Sequence, residues 1–185
     1  MTPQELTEKA HSYLTKPDER PQILKDLTEP APTCLLYNRF FYELTKELKP
    51  KLTLETGTDR GRSAAHLALG NPDGLVITID IDKTCKDNVD ALKIPNITSY
   101  AIDSLAHVGT IPDGALDILF LDSLHTYEHT IAEWRAFQRK VKRGGLAFFD
   151  DIHLDGGMER FWSEVTGTKV DISHLHFSGF GAVVL

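Results

Sequence analysis

The chain has 185 residues, of which 41% are hydrophobic and 25% are charged, and its 20 Lys and Arg face 27 Asp and Glu. This composition suits one globular domain that needs neither disulfides nor metal to hold its core. The net charge of -7, without a run of Lys or Arg, argues against a surface that binds the phosphate backbone of nucleic acids, so we expect no nucleic-acid partner. Two cysteines, an acidic N-terminus and the lack of a long apolar run predict a cytoplasmic protein that makes no membrane contact.

The N-terminal residues 1–33 are polar and contain five prolines. We expect them to form a lid or docking segment, with a short helix at 3–14, ahead of a domain formed by residues 34–185. The domain opens with apolar residues at every fourth position, a spacing that predicts a helix, which Pro50 ends. These apolar residues are Leu36, Phe40, Leu44 and Leu48.

From residue 51 onward, short apolar segments alternate with segments of helical spacing. The predicted strands are 52–54, 75–79, 97–102, 116–121 and 146–149. The helices between them begin near Arg62, Lys83, Ser104 and Thr126. A helix near 158–165 and strands near 168–172 and 181–185 follow. Repeated strand and helix units with apolar strands predict an α/β fold, with a parallel sheet covered by helices on both faces.

The loop after the first predicted strand, residues 55–63, opens a helix. Gly57 and Gly61 allow a tight turn and a close approach of the backbone to a ligand, and the helix N-terminus offers unpaired N–H groups to a carboxylate. An ordinary turn between strand and helix is the alternative interpretation. The spacing G-x-G-x-x-G is missing here, which argues against a dinucleotide ligand.

Acidic residues also follow the second and third predicted strands. Asp80 is placed to accept hydrogen bonds from both hydroxyls of a ribose, and Asp82 is its rival for that role. Asp103 and Ser104 are placed to contact an adenine edge, although Asp103 could instead cap the next helix. Together these loops predict an adenosine-type ligand.

Three more carboxylates follow the fourth and fifth strands: Asp122, Asp150 and Asp151. Carboxylates at neighbouring strand ends repel one another unless they are protonated, paired or bound to a cation. Oxygen ligands suit Mg²⁺, with Mn²⁺ or Ca²⁺ as alternatives. The competing interpretation is that Asp122 and Asp151 cap the helices that follow them.

Histidines near these strand ends are candidates for proton transfer. His125 lies three residues after Asp122 and can deprotonate a hydroxyl near neutral pH. His153 is the alternative, as the base or as an extra metal ligand. His174 and His176, between the last two strands, are interpreted as rim residues.

The segment 54–63 resembles the first motif, E-x-G-x-x-x-G-x-S, of class I S-adenosylmethionine-dependent methyltransferases. From residue 35 to its end the chain is similar to the small-molecule O-methyltransferases related to catechol O-methyltransferase. The resemblance implies a Rossmann-like, seven-stranded, mostly parallel sheet whose last strand is antiparallel. It implies that the first loop holds the methionine part of S-adenosylmethionine, with Asp80 on the ribose and Asp103 and Ser104 on the adenine. The implied cofactor residues in and after that loop also include Glu55, Gly57, Thr58, Asp59, Gly61, Ser63 and Asp122.

The same resemblance carries over to the later loops. Asp122, Asp150 and Asp151 fall on the family's metal-ligand positions, the third of which is usually Asn, and His125 falls on the position of a catalytic lysine. The segment 120–128 is similar to a bacterial branch that carries D-x-x-H-x-Y. The implied activity is methyl transfer from S-adenosylmethionine to a hydroxyl oxygen of a small molecule, assisted by Mg²⁺ or another divalent cation. Metal-independent methyl transfer and a non-catalytic S-adenosylmethionine-binding module are the alternatives.

Three large aromatic residues bear on self-association. Phe40, Phe41 and Trp162 either fill the core or form the surface of a homodimer, and core packing is the favoured interpretation.

Overall fold

The structure is a computed structural model that describes residues 1–28 and 36–185. Pro30, Pro32, Cys34 and the predicted domain boundary after residue 33 lie outside the described residues. The N-terminal part contains the helices α1 (Pro3–Thr15) and α2 (Gln22–Thr28). The helix predicted at 3–14 is therefore present, whereas α2, with seven residues, is too short to reveal a helical period in the sequence.

The other helices and strands follow the predicted alternation. The helices are α3 (Leu36–Leu48), α4 (Arg62–Gly70), α5 (Lys83–Leu92), α6 (Ser104–His107), α7 (Tyr127–Phe137) and α8 (Gly156–Glu164). The strands are β1 (Leu52–Thr56), β2 (Leu75–Asp80), β3 (Ile97–Ala101), β4 (Leu116–Leu121), β5 (Val141–Asp150), β6 (Thr168–Asp171) and β7 (Phe180–Val184). Strand β5 starts five residues before the predicted residue 146. The prediction missed this first part because the exposed residues 142–144 interrupt the apolar pattern of the strand. Within residues 1–28 and 36–185, no helix combines the length and apolarity needed to cross a membrane.

The seven strands form one sheet in the order β3-β2-β1-β4-β5-β7-β6. The strands β1 to β5 pair in parallel, and β7 runs antiparallel to its neighbours β5 and β6. The predicted α/β class and the antiparallel last strand are confirmed. The strand order reverses direction between β1 and β4, and ligands bind outside the carboxyl ends of the strands at such a switch point.

Neighbouring residues of the central strands face opposite sides of the sheet and build two cores. Phe120 and Phe148 pack under α3 on one side, while Leu119 and Phe149 pack under α7 and α8 on the other. Phe40 and Phe41 of α3 are fully buried, so the interpretation of these two residues as core is confirmed.

The fully buried side chains of Leu6 and Leu24 show that α1 and α2 also contribute to the core around α3.

Polar contacts fasten the N-terminal part to α4. The Nη1 atom of Arg20 lies 3.0 Å from Nε2 of His66, and Nδ1 of His66 lies 2.7 Å from the carbonyl oxygen of Arg62. Burial lowers the pKa of His66 to about 4, so the neutral ring can donate to the carbonyl and accept from the guanidinium. Arg62 in turn donates to the carbonyl oxygen of Leu27. The N-terminal part thus holds the first turn of α4, which borders the switch point.

Helices α3 and α4 touch through Gly70, which leads to the first prediction. A Cβ atom at residue 70 would lie 2.4 Å from the carbonyl oxygen of Tyr42 and 2.1 Å from Oγ1 of Thr45. Gly70→Ala should therefore lower the free energy of unfolding by about 1–3 kcal/mol, because the helices must separate. Denaturant unfolding measures this change. Gly109→Ala is the control, since an added Cβ there meets no atom within 4 Å, and equal stability of both variants would contradict a tight helix contact.

Candidate functional site

A cavity of about 850 Å³ opens at the carboxyl ends of the parallel strands. This volume is in the range of small-molecule sites. Most of the predicted site residues line it, whereas Glu55, Gly61 and Asp151 do not. The lining residues on the side of β1 to β3 are Gly57, Thr58, Asp59, Ser63, Asp80, Asp103 and Ser104. Those on the side of β4 and β5 are Asp122, His125 and Asp150.

The first loop approaches the loop after β4 so closely that residue 57 must be glycine. Gly57 has a φ of +85°, and a Cβ atom there would lie 1.7 Å from the carbonyl oxygen of Asp122. Gly61, with a φ of +74°, precedes α4 at its N-cap, and its Cβ would lie 2.6 Å from Cγ2 of Val89. Gly57 therefore lets the backbone of the first loop pass against the loop after β4, and Gly61 lets the end of the same loop pack against α5.

Glu55 lies beneath the cavity. Its carboxylate is fully buried and accepts hydrogen bonds from the hydroxyls of Ser63 and Thr78, the latter at 2.5 Å. Burial raises the pKa of Glu55 to about 7, although these two hydrogen bonds act in the opposite direction. Glu55 thus joins β1 to β2 and to the first turn of α4, and it shapes the cavity from outside the lining.

Asp80 orients the first loop from the end of β2. Its Oδ2 accepts hydrogen bonds from the backbone N–H groups of Thr58 at 2.9 Å and Asp59 at 3.3 Å, and its Oδ1 accepts one from Asp82 at 2.9 Å. Burial alone would raise the pKa of Asp80, but these donors lower it below its ordinary value. Oδ1 retains capacity to accept a ligand hydroxyl. The carboxylate of its rival Asp82 caps α5 through the backbone N–H of Thr84.

The loop after β3 is tied to a residue that the sequence did not reveal. Asp103 caps α6, accepting a hydrogen bond from the backbone N–H of Leu105 at 2.8 Å, so the capping interpretation holds for its side chain. Ser104 donates at 2.5 Å to the fully buried carboxylate of Glu133, which also accepts from Ser123 at 2.8 Å. Glu133 lies on the buried face of α7. In the sequence, the helical spacing of Glu133 from other buried residues of α7, such as Thr130, Trp134 and Phe137, was the signal that could have placed it on the buried face.

The three predicted metal ligands lie together with His125. Nε2 of His125 is 3.2 Å from Oδ1 of Asp122, and Nδ1 is 3.3 Å from Oδ2 of Asp151. Donor atoms of Asp122, His125 and Asp150 all lie within 4.8 Å of one another. This spacing suits shared coordination of one cation. Asp151 has a φ of +57°, a left-handed conformation that Asp tolerates better than most residues.

His176 joins the same cluster, contrary to its interpretation as a rim residue. Its Nδ1 atom lies 2.9 Å from Oδ1 of Asp150 and 3.5 Å from Oδ1 of Asp151, and only 8% of its side chain is exposed. Burial lowers the pKa of His176, but Asp150 and Asp151 outweigh that effect and raise the pKa overall. The alternative base His153 and the other predicted rim residue, His174, have partners elsewhere: His153 contacts Asp171 at 2.9 Å, and the ring of His174 stacks on a histidine of α1.

The cluster carries more negative charge than its contacts balance. Burial, followed by the charges of Asp150 and Glu55, raises the pKa of Asp122 well above its ordinary value. Among the residues that the structure describes, the buried Oδ1 of Asp150 accepts no hydrogen bond, and it lies 2.9 Å from Nδ1 of His176 as an ion-pair contact. A buried carboxylate oxygen without a donor is what a bound cation would satisfy. The residues present therefore fit a divalent cation.

Comparison with known families decides the classification. The profile of the family described as Methyltransferase domain matches residues 54–152, which is more than half of the chain. The chain belongs to this methyltransferase family. The matched part of the methyltransferase runs from β1 through β5, so it includes the cavity loops, while His176 lies beyond it. The resemblance to methyltransferases that the sequence indicated is confirmed.

The methyltransferase is similar to one known protein by sequence and to others by structure. An uncharacterized protein of Acanthamoeba polyphaga mimivirus is 33% identical over 70 residues, 37% of this chain and 31% of that protein. The match thus spans about a third of the viral protein's length.

Solved structures share the fold at lower sequence identity. A protein from Corynebacterium glutamicum superposes with a TM-score of 0.74 at 13% identity, over 96% of this chain and 95% of that chain. The O-methyltransferase TomG from Streptomyces achromogenes, involved in tomaymycin synthesis and solved in complex with S-adenosylmethionine, has a TM-score of 0.66 at 19% identity, over 98% and 88% of the two chains. These likenesses establish the fold of the methyltransferase.

The buried carboxyl of Glu55 gives a prediction about stability and pH. Its pKa rises from 4.5 to about 7 on folding, so the folded state binds this proton more tightly and stability falls as pH rises through that window. Relative to Glu55→Gln, the wild type should lose about 3 kcal/mol of unfolding free energy between about pH 4 and about pH 8. Denaturant unfolding of both proteins across this range measures the difference. A parallel pH profile of the two proteins would contradict the assignment.

Proposed function

We propose that the protein transfers a methyl group from S-adenosylmethionine to a hydroxyl oxygen of a small molecule, with assistance from a divalent cation. The observation that carries the proposal is one cavity that joins the glycine-containing loop after β1 to the carboxylates that follow β2, β4 and β5. Family membership supports methyl transfer, and the S-adenosylmethionine in the TomG structure supports the choice of methyl donor.

The donor end of the cavity is formed by the loops after β1, β2 and β3. Asp80 would bind the ribose, because it lines the cavity and its Oδ1 has acceptor capacity left. The loop at Gly57 and the first turn of α4 at Ser63 would take the methionine part, and Ser104 would border the adenine. When bound, S-adenosylmethionine supplies a sulfonium-activated methyl group. The negative charge of this wall suits a cationic sulfonium.

The acceptor end lies between the loops after β4 and β5. Asp122, Asp150 and Asp151 would hold the cation, with Mg²⁺ the first candidate on oxygen ligands alone. When bound, the cation supplies a positive charge that lowers the pKa of an acceptor hydroxyl. His125 is the proposed base, because it lies on the cavity wall and its ring is oriented by Asp122 and Asp151, whose carboxylate oxygens lie 3.2 Å and 3.3 Å from its two nitrogens. Leu124, 60% exposed on the same wall, offers an apolar contact to the acceptor.

The ribose contact gives a test of the donor site. Asp80→Asn should weaken S-adenosylmethionine binding by about 10-fold or more, because a charged hydrogen-bond acceptor is lost. Asp82→Asn is the matched control and should change affinity little, since asparagine caps a helix as well as aspartate. Isothermal titration calorimetry measures both. Weakened binding in Asp82→Asn alone would move the ribose to that residue, and unchanged binding in both variants would show that neither carboxylate binds the ribose.

The cation site gives a second test. Asp150→Asn should reduce cation-dependent turnover by about 100-fold or more while S-adenosylmethionine still binds, because a cation ligand is lost from the acceptor end. The measurement is S-adenosylhomocysteine formation with a panel of catechols and vicinal diols, before and after chelation and Mg²⁺ or Mn²⁺ addition. Turnover that survives both chelation and the substitution would favour metal-independent methyl transfer. Tight donor binding without turnover on any acceptor would favour a non-catalytic module.

A further inference from the structure

A histidine from outside the cavity loops faces the carboxylates at the end of β5. Donor atoms of Asp150, Asp151 and His176 all lie within 4.8 Å of one another. The antiparallel pairing of β5 with β7 explains the meeting, because it places Phe180 opposite Asp150. The segment before β7 therefore returns alongside the end of β5 and brings His176 to the two aspartates.

The surroundings hold His176 in this position. The ring of Tyr37 packs edge-on against it, with centroids 5.5 Å apart and planes at 87°. The hydroxyl of Ser178 donates to Oδ1 of Asp151 and lies 3.2 Å from Nδ1 of His176. Gly179 has a φ of +97°, and a Cβ atom there would lie 2.8 Å from the backbone nitrogen of His153. The segment before β7 is therefore closely packed, and its imidazole is held against the carboxylates.

One oxygen of the Asp150 carboxylate accepts no hydrogen bond. This atom, Oδ1, is buried, has no hydrogen-bond partner among the described residues, and lies 2.9 Å from Nδ1 of His176. Asp150 belongs both to the group with Asp122 and His125 and to the group with Asp151 and His176. A cation at this oxygen would therefore have an imidazole nitrogen within reach from the β7 side. The sequence analysis, which interpreted His176 as a rim residue, did not predict this nitrogen.

We propose that Nδ1 of His176 is a ligand of the cation, together with Asp150 and Asp151, and that the site consequently selects a divalent transition ion over Mg²⁺. The inference rests on the proposed function, because it deepens the description of the same cation site. Imidazole suits ions such as Co²⁺, Ni²⁺ and Zn²⁺, whereas Mg²⁺ prefers oxygen ligands and retains its water. The chemistry of the donor set thus points away from the first candidate, Mg²⁺.

The diagnostic quantity is the ratio of Co²⁺ to Mg²⁺ affinity. Sites of nitrogen and oxygen ligands generally favour Co²⁺ to some extent, so a preference in the wild type alone does not identify the ligand. Chelator-treated protein is titrated with each ion by calorimetry, and the visible absorption of Co²⁺ is recorded. His176→Gln should reduce Co²⁺ affinity by about 10-fold or more and change Mg²⁺ affinity much less. His174→Gln, on the same segment with its ring on α1, is the matched control and should change neither.

A second test of the ligand role uses the wild type, so its result does not depend on whether a variant folds. Long-range ¹H–¹⁵N NMR of the histidine rings should show a Zn²⁺-induced shift of Nδ1 of His176, while the ring of His153 stays unchanged because it faces Asp171. An unaffected His176 ring in the presence of bound Zn²⁺ would overturn the proposal. So would an unchanged ratio of Co²⁺ to Mg²⁺ affinity in a His176→Gln protein that still binds S-adenosylmethionine.

Failure of this inference is distinguishable from failure of the proposed function. If S-adenosylmethionine binds and methyl transfer proceeds while His176 shows no response to Zn²⁺, only the ligand role of His176 is lost. If no divalent ion binds at all, the ligand role and the cation assistance are both lost, and chelation-resistant turnover would leave methyl transfer in place. If the protein binds the ions through His176 but neither binds S-adenosylmethionine nor transfers methyl groups, the cation site stands and the proposed function falls.

Discussion

The close approach of the loop after β1 to the loop after β4 is the constraint on which the site depends. It is possible because residue 57 has no Cβ atom, so the backbone passes directly beside the carbonyl oxygen of Asp122. From that point the backbone N–H groups of Thr58 and Asp59 reach Asp80, and the side chain of Asp122 faces Asp150. A parallel sheet brings the carboxyl ends of its strands to one edge. The contact between the loops after β1 and β4 then helps to enclose the cavity at that edge.

Negative charge is the second property that unites the site. Burial and neighbouring carboxylates raise the pKa of Glu55 and Asp122, which shows that the folded chain holds these groups against their preference for water. Hydrogen bonds from Ser63, Thr78 and Ser178 offset part of this. The remaining charge is complementary to the ligands that we propose, a sulfonium and a divalent cation. The buried negative charge lowers the stability of the protein without ligands, and binding of these proposed ligands would offset that cost, as is common at functional sites.

The N-terminal helices take part in building the site as well as the core. Leu6 and Leu24 are buried around α3, and Arg20 and Leu27 fasten this part to α4 through His66 and Arg62. Helix α4 begins directly after the loop that borders the cavity. The segment expected to be a lid or docking element therefore supports the wall of the cavity from behind in the part of the chain that the structure describes.

The sequence by itself determined the alternation of strands and helices, the sheet class and the position of Asp80, Asp122 and Asp150 at strand ends, because these follow from local apolar patterns and from the geometry of parallel sheets. Only the tertiary structure decided the partners of those residues. Glu133 reaches Ser104 across 29 positions, and His176 reaches Asp150 only because β7 turns back along β5. Such contacts depend on the packing of distant segments, and the type of a polar residue in the sequence does not indicate which distant residue it will contact.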